Sequence, residues 1–374
     1  MITVVHVVGV MNRGGLETFV MNVLRNIDSR IVHSDILCTL SGVGDYDREA
    51  TDCGATIYHM SEAFSNHSGK TRFYFQYRNY VSWFKQHHYD VIHIHGSHAF
   101  DNSIAVKGAL DAGCKKVICH SHTNNGDHWV LNSLGAHYLR KKKILRFACS
   151  RQAGEWLYGN NNCFEIIKNG IEVNRFKFSH SDRREYRASL GISDDVKVIM
   201  SVGRLVDVKN HSFLLHIMRA LLDLNPKGWL LLLIGEGENE GALRDEARAL
   251  GIDGQIRFLG LRDDIPSLLS SSDAYVMPSI HEGLPLAAVE AQANGLPTFL
   301  SSGISPETKL LPSTYVLELE SGSLSWAHAI NNALINSRRI LDAANAAAIV
   351  KSMGFDISQT VERLQAIYTS DRFL

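Results

Sequence analysis

Short apolar runs alternate with stretches of helical periodicity along almost the whole chain. TVVHVVGV (3–10), HSDILCTL (33–40), DVIHIHG (90–96), KVICHSHT (116–123) and ILRFACS (144–150) read as strands of a first half. KVIMSVGRL (197–205), WLLLLIG (229–235), QIRFLG (255–260), DAYVMPS (273–279) and PTFLSS (297–302) read as strands of a second. Segments 15–26, 211–224 and 239–250 carry apolar residues at helical spacing. Strands that are apolar throughout, rather than at every second position, belong in parallel sheets covered on both faces. The pattern is therefore α/β, a doubly wound Rossmann-like domain occurring twice.

The polar stretch NGIEVNRFKFSHSDRREYRASLGISDD (169–195) has no clear strand character and marks the break. The expected domains are 1–172 and 173–345, with helices in 346–374 packing back on the first domain. Two such domains facing one another would leave a cleft lined by the carboxyl ends of both sheets, where ligands of this architecture bind.

Composition narrows the classes. A chain of 374 residues exceeds one ordinary core. A net charge of -1 gives no pull towards nucleic acid. The start, MITVVHVVGV, lacks the basic segment and long apolar run of a secretion signal. The longest apolar run, WLLLLI, is far shorter than the roughly 18 to 20 residues of a membrane span. A cytoplasmic chain is expected. Six cysteines without a CxxC pair read as reduced thiols.

Chemistry collects just after the strands. In SVGRLVDVKNHSFLL (201–215), Gly203 permits a tight turn, and Arg204 and Lys209 follow in a loop entering a helix. A guanidinium and an ammonium beside a helix N-terminus suit phosphate oxygens; solvated loop charges are the alternative. LLLLIGEGEN turns at Gly235, and IRFLGLRDDI passes Leu259 into a loop that could offer backbone groups to a base. HEGLPLAAVEAQANGLP (281–297) sets Glu282 just before a helix, Leu286 to Ala293, and Glu290 within it. The N–H groups of Gly283, Leu284 and Leu286 are free to receive phosphate or sugar oxygens at that end. Pro285 suits the first helical turn. Capping could explain Glu282 but not Glu290, whose carboxylate could hold a ribose diol. Eight helical steps would separate the two by ~12 Å, against roughly 5 to 9.5 Å for the acid and base of a glycoside hydrolase. Contacts to separate parts of one long ligand fit better.

Taken together, EGLPLAAVE, GRLVDVK, IGEGE, RFLG, DAYVMPS and EAQANGLP resemble, in order and spacing, the retaining GT-B glycosyltransferases of glycosyltransferase family 4. The resemblance is most specific over 195–300. It implies a nucleotide-diphosphate-sugar donor in the C-terminal domain, with UDP favoured over GDP. Arg204 and Lys209 would neutralise the leaving diphosphate, Glu282 would contact the transferred sugar, and Glu290 would hold the ribose. It implies no metal and no cofactor beyond the donor. A saccharide or lipid-linked acceptor would meet the first half, in bacterial surface-polysaccharide assembly.

In GVMNRGGLETFVMNVL (9–24), Arg13, Gly14 and Gly15 match the family loop near donor phosphates and acceptor. Of His120 and His122, which share one face of a strand end, His122 is preferred for the reaction centre. His95 and His120 are expected beside the acceptor. The spacing of His93, His95 and His98 does not match a compact zinc motif. Asn169 and Gly170 match a family hinge, with Glu172 where Asp is usual. Glu307 stands slightly early for a donor contact of the family. A nucleotide-sugar epimerase or hydrolase, or a silent nucleotide-sugar-binding module, are the rival readings. The basic, aromatic segment GKTRFYFQYRNYVSWFKQHH (69–88) and Arg140–Lys143 could rest on an anionic membrane or pack into the core.

Overall fold

The structure is a computed structural model describing residues 1–60, 70–96, 98–123, 129–160, 163–226, 228–335 and 343–370. Gly69, the first residue of the basic aromatic segment, lies outside them. The chain divides into two compact units: residues 1–171 with 356–374, and residues 172–355.

The first unit contains β1 (Ile2–Val8), α1 (Gly15–Asn26), β2 (Val32–Cys38), α2 (Asp47–Asp52), β3 (Ile57–His59), α3 (Lys70–Gln86), β4 (Val91–Gly96), α4 (Ala99–Asp111), β5 (Lys116–Ser121), α5 (Trp129–Lys141), β6 (Leu145–Ala148), α6 (Arg151–Tyr158) and β7 (Glu165–Ile166). Its sheet is parallel, in the order β3-β2-β1-β4-β5-β6-β7. The second unit runs α7 (His180–Ser189), β8 (Lys197–Val202), α8 (His211–Leu224), β9 (Trp229–Ile234), α9 (Glu240–Ala249), β10 (Ile256–Phe258), α10 (Ile265–Ser271), β11 (Ala274–Met277), α11 (Leu286–Ala293), β12 (Thr298–Ser301), β13 (Thr314–Leu317), α12 (Gly322–Ile335) and α13 (Ala343–Val350). Its parallel sheet has the order β10-β9-β8-β11-β12-β13. The last helix, α14 (Ile357–Thr369), belongs to the first unit, where it packs on α1 and β1.

Each sheet reverses its order once, between β1 and β4 and between β8 and β11. Strands on either side of such a reversal send their following helices to opposite faces. The loops after them part and open a crevice at the carboxyl edge. The apolar strands do what their sequence asks: Val4, Val5, Ile92, Leu231, Leu232, Tyr275 and Val276 are all fully buried.

The return to the first unit comes at Asp356, later than residue 346, because α13 packs on α11 of the second unit. A left-handed Gly354 (φ +81°) breaks the helical path before that return. Asp356 then caps α14 by accepting from the Ser358 N–H at 3.0 Å. Lys116 Nζ closes the other end, donating to the carbonyls of Tyr368 and Ser370 at 2.9 and 2.6 Å. Pro285 lies one residue outside α11, in extended backbone, rather than in its first turn. Three strands at sheet edges, β3, β7 and β13, are not among those expected from the apolar runs.

Candidate active site

The chemistry of the second unit gathers at its sheet reversal. After β8, the Gly203 N–H donates to the Ile234 carbonyl at 3.0 Å, and the Leu205 N–H donates to the Glu236 carbonyl at 2.9 Å, so the loops after β8 and β9 run side by side. They approach so closely that a Cβ on Gly235 would sit 2.1 Å from the Gly203 oxygen. Gly235 also adopts φ +127°, which side chains disfavour. Its N–H donates to Gly260, just past Leu259, at 2.8 Å. Glycine here is a backbone-packing requirement as well as a turn residue.

Asn210 joins the loop after β8 to the loop after β11. It is the one non-glycine at positive φ (54°) among the described residues, and its side-chain amide donates to the Pro278 carbonyl at 3.2 Å. The Ile280 N–H donates to the Val208 carbonyl at 2.8 Å. The outcome is an ion pair: Lys209 Nζ lies 2.5 Å from Glu282 Oε1, both side chains mostly buried. Glu282 is clamped from behind as well. Its N–H donates to the Gly303 carbonyl at 3.2 Å, and its carbonyl accepts from the Ser305 N–H at 3.0 Å. Arg204, in the same loop as Lys209, is exposed and has no ion-pair partner among the described residues. One cation is thus matched and one stands ready for an anion.

Gly283, Leu284 and Leu286 follow at the start of α11, where Pro285 supplies no side-chain cap. Their N–H groups find no partner among the described residues. Glu290 lies one turn into α11. Burial lifts its carboxyl to about 7, with the Arg175 guanidinium opposing. Both Glu282 and Glu290 act electrostatically on buried Tyr275 of β11, whose hydroxyl donates to the Val202 carbonyl at 3.3 Å. Because Glu282 is outside the helix, only the steps from Leu286 to Glu290 have helical rise. Gln292, not singled out in the sequence, anchors the Thr308–Thr314 segment: its side-chain N–H donates to the Thr308 carbonyl and its oxygen accepts from the Leu310 N–H, both at 2.8 Å. A polar residue on an otherwise apolar helix was the available signal. Glu307 sits in the short 3-10 turn, Pro306–Thr308, that leads into this segment.

The reversal in the first unit has a different lining. His6 on β1, His93 and His95 on β4, and His120 on β5 come into register across the sheet (His6 beside His93, His95 beside His120). His122 continues the row just past β5. His6 Nδ1 and His95 Nε2 are 2.9 Å apart, and His95 Nδ1 and His122 Nε2 are 3.0 Å apart. His93 Nδ1 is 2.6 Å from the Tyr368 hydroxyl of α14. Burial keeps the rings neutral: His6 falls to about 4 and His122 to about 3, and His93, His95 and His120 lie well below their ordinary value. His6, a polar break in the apolar run TVVHVV, went unremarked in the sequence. His98 stands apart as the residue before α4.

Arg13 and Gly15 lie in the turn between β1 and α1, where the Arg13 N–H donates to Asp45 at 3.0 Å. Gly15 has open space where a side chain would be. Gly170 packs against α14, with Ile357 Cα 2.7 Å from where its Cβ would be, and its carbonyl accepts from the Asn22 amide at 3.0 Å. In α3, Tyr80 and Phe84 are buried, whereas Tyr74 and Phe75 face outward.

These two parallel sheets, each reversing its order once, define a doubly wound two-domain α/β architecture, and sequence comparison bears on the class directly. The family model for glycosyl transferases group 1 matches residues 182–340, and that for glycosyltransferase family 4 matches residues 13–175. EpsF of Bacillus subtilis (strain 168), named as a glycosyltransferase, is 30% identical over 98% of this chain and 96% of its own. An Escherichia coli enzyme named UDP-Gal:alpha-D-GlcNAc-diphosphoundecaprenol alpha-1,3-galactosyltransferase is 28% identical over 58% of this chain and 59% of its own. Among solved structures, Anabaena Alr3699/HepE in complex with UDP and glucose superposes with a TM-score of 0.81 at 17% identity, covering 98% of this chain and 99% of that one. The protein belongs to the group 1, family 4 glycosyltransferases and has the GT-B fold.

Proposed function

We propose that the protein is a retaining glycosyltransferase that moves a hexose or N-acetylhexosamine from a UDP-sugar to a saccharide or lipid-linked acceptor, in assembly of a bacterial surface polysaccharide. The observation carrying this reading is the Lys209–Glu282 ion pair beside the unpaired Arg204 at the sheet reversal. A diphosphate arriving there finds one cation free, and draws the second away from Glu282. That releases the Glu282 carboxylate to accept hydrogen bonds from the sugar. The names of the E. coli enzyme and of the Anabaena complex support UDP as the nucleotide, and the former supports a lipid-linked acceptor.

In this reading the backbone around Gly203, Gly235, Leu259, Gly283, Leu284 and Leu286 holds the nucleotide and diphosphate, and Glu290 holds the ribose. The acceptor hydroxyl attacks the sugar C1 on the face from which the diphosphate departs. The C1–O bond to the diphosphate breaks, the new glycosidic bond forms, and a leaving phosphate oxygen takes the acceptor proton. Arg204 and Lys209 stabilise the charge that builds on the leaving group, so the transfer needs no metal. Arg13, Gly15, His95, His120 and His122 belong to the acceptor side.

No helix among the described residues is long and apolar enough to cross a membrane. A peripheral contact with an anionic cytoplasmic leaflet fits α3 and α5, which both pack on α4. They expose Tyr74, Phe75, Val130, Leu134 and Trp129, the last 78% exposed, beside Arg72, Arg78 and Lys141. Sedimentation with vesicles containing anionic lipid tests it, with binding expected to weaken on Trp129→Ser.

The donor assignment is tested by calorimetric titration with UDP and with GDP in EDTA. UDP is expected to bind and GDP to bind far more weakly. Binding of neither overturns the assignment.

A further inference from the structure

The histidine row holds three ring nitrogens that converge without a common partner. His95 Nδ1 and His122 Nε2 are 3.0 Å apart, and His120 offers a nitrogen so that all three ligand atoms lie within 4.8 Å of one another. The His120 and His122 rings stand 4.0 Å apart, centre to centre. A single shared proton satisfies the His95–His122 contact but does nothing for His120. Both of its nitrogens are buried without a hydrogen-bond partner, and so is His122 Nδ1. The Ile167 backbone favours a protonated His120 without reaching bonding geometry. Unmet polar atoms in a core are destabilising, and a native fold retains them where something else completes them.

We propose that His95, His120 and His122 bind a divalent transition cation of the zinc class, with a fourth coordination position open at the carboxyl ends of β4 and β5. An all-imidazole donor set suits zinc, copper or nickel and disfavours magnesium or calcium. With zinc–nitrogen bonds of ~2.0 to 2.1 Å, a tetrahedral site separates its ligand nitrogens by ~3.3 Å. The 3.0 Å separation of His95 and His122 needs only a small parting of the rings. The outer shell is also present. His95 uses its other nitrogen, Nε2, to meet His6 Nδ1 at 2.9 Å. His122 Nδ1 and Asn169 Oδ1 are both buried without a hydrogen-bond partner, and Asn169 bears electrostatically on His122. Such second partners fix the orientation of ligating imidazoles. This gives a use to Asn169 that the hinge resemblance did not.

The row contains a second triad within reach, His6, His93 and His95. It is the weaker site. All three side chains are sealed from solvent, and His93 is already engaged with Tyr368. His122, by contrast, is only partly buried and lies just past β5, so an ion can enter and a water or hydroxyl can occupy the fourth position. The site uses no residue of the second unit and stands apart from the donor reading. It also alters what His122 offers: with Nε2 on the ion, an oxygen ligand of the cation becomes the polar group presented there.

The test uses the full chain, dialysed against EDTA and then freed of it. Zinc chloride is titrated calorimetrically, and cobalt chloride is titrated with visible absorption as the readout. One zinc per chain is expected, with cobalt bands characteristic of four or five ligands. His120→Phe is expected to weaken zinc binding more than about 100-fold, and His6→Phe by about 10- to 100-fold through its outer-shell role. Thermal melting checks that each variant is folded. Stoichiometric zinc retained by folded His120→Phe overturns the proposal, as does weak uptake of several zinc ions at exposed histidines alone. Should His120→Phe fail to fold, the cobalt spectrum of the unaltered protein decides, and the absence of low-coordinate bands overturns the assignment.

Discussion

The two sheets share one strand order around their reversals, β2-β1-β4-β5 in the first unit and β9-β8-β11-β12 in the second, yet the reversals are lined in opposite ways. In the second unit the loops carry full charges at the rim: exposed Arg204, and Lys209 held against Glu282. In the first unit neutral rings of His6, His93, His95 and His120 fill the sheet face itself. Strand order decides where loops diverge; the side chains decide whether the opening is rimmed with charge or filled from within.

The largest test of this contrast is Glu282→Ala. It is expected to lower transfer by about 10²- to 10³-fold, the scale of losing a polar contact made at the reacting centre, with UDP affinity changed less than about threefold. Calorimetry and turnover on one preparation check it, and a comparable loss of UDP affinity would place Glu282 at the nucleotide instead. Next comes Gly235→Ala, which drives a Cβ towards the Gly203 oxygen. A loss of about 2 to 3 kcal/mol in urea unfolding is expected, as for other overpacked sites.

The acid response separates the two linings. His6 and His122 have pKa values below their unfolded 6.5, so their contribution is present above pH 6.5 and is lost as pH falls towards 4. Glu290 has the opposite sense. Its raised carboxyl favours the folded second unit at pH 4.5 and withdraws that support as pH rises through 7. His211, lowered to about 4 by burial and by Lys209, works against Glu290 in that unit. Hydrogen exchange of peptides from each unit, corrected for intrinsic rates, should show the first unit loosening more than the second between pH 6.5 and 4.5. Glu290→Gln should narrow the gap. The smallest effect expected is on ligand affinity: UDP-glucose should bind about tenfold more weakly to Glu290→Gln, and the rise in affinity between pH 6 and 8 should disappear. An unchanged pH profile would detach Glu290 from the ribose.

Much of the fold was legible because apolar runs such as WLLLLI and VIHIHG have no place except in a sheet covered on both sides. The edge strands β3 and β7 were not, since IYH and EI are only partly covered and form no continuous apolar run. Arg204, Lys209, Glu282 and Glu290 could be picked out from their places after strands. That Lys209 would meet Glu282 could not, because the meeting depends on the left-handed turn at Asn210 and its amide reaching Pro278. Likewise His93, His95, His120 and His122 were each visible, but only the register of β4 against β5 makes them neighbours.

The return of α14 has a consequence for biosynthesis. Residues 172–355 form a contiguous unit, complete as soon as they leave the ribosome, whereas the first unit waits for residues 356–369 to supply Tyr368 to His93 and the backbone carbonyls to Lys116. The half that is made first is therefore the half that finishes last. Until then its histidine-lined sheet lacks the helix that covers it.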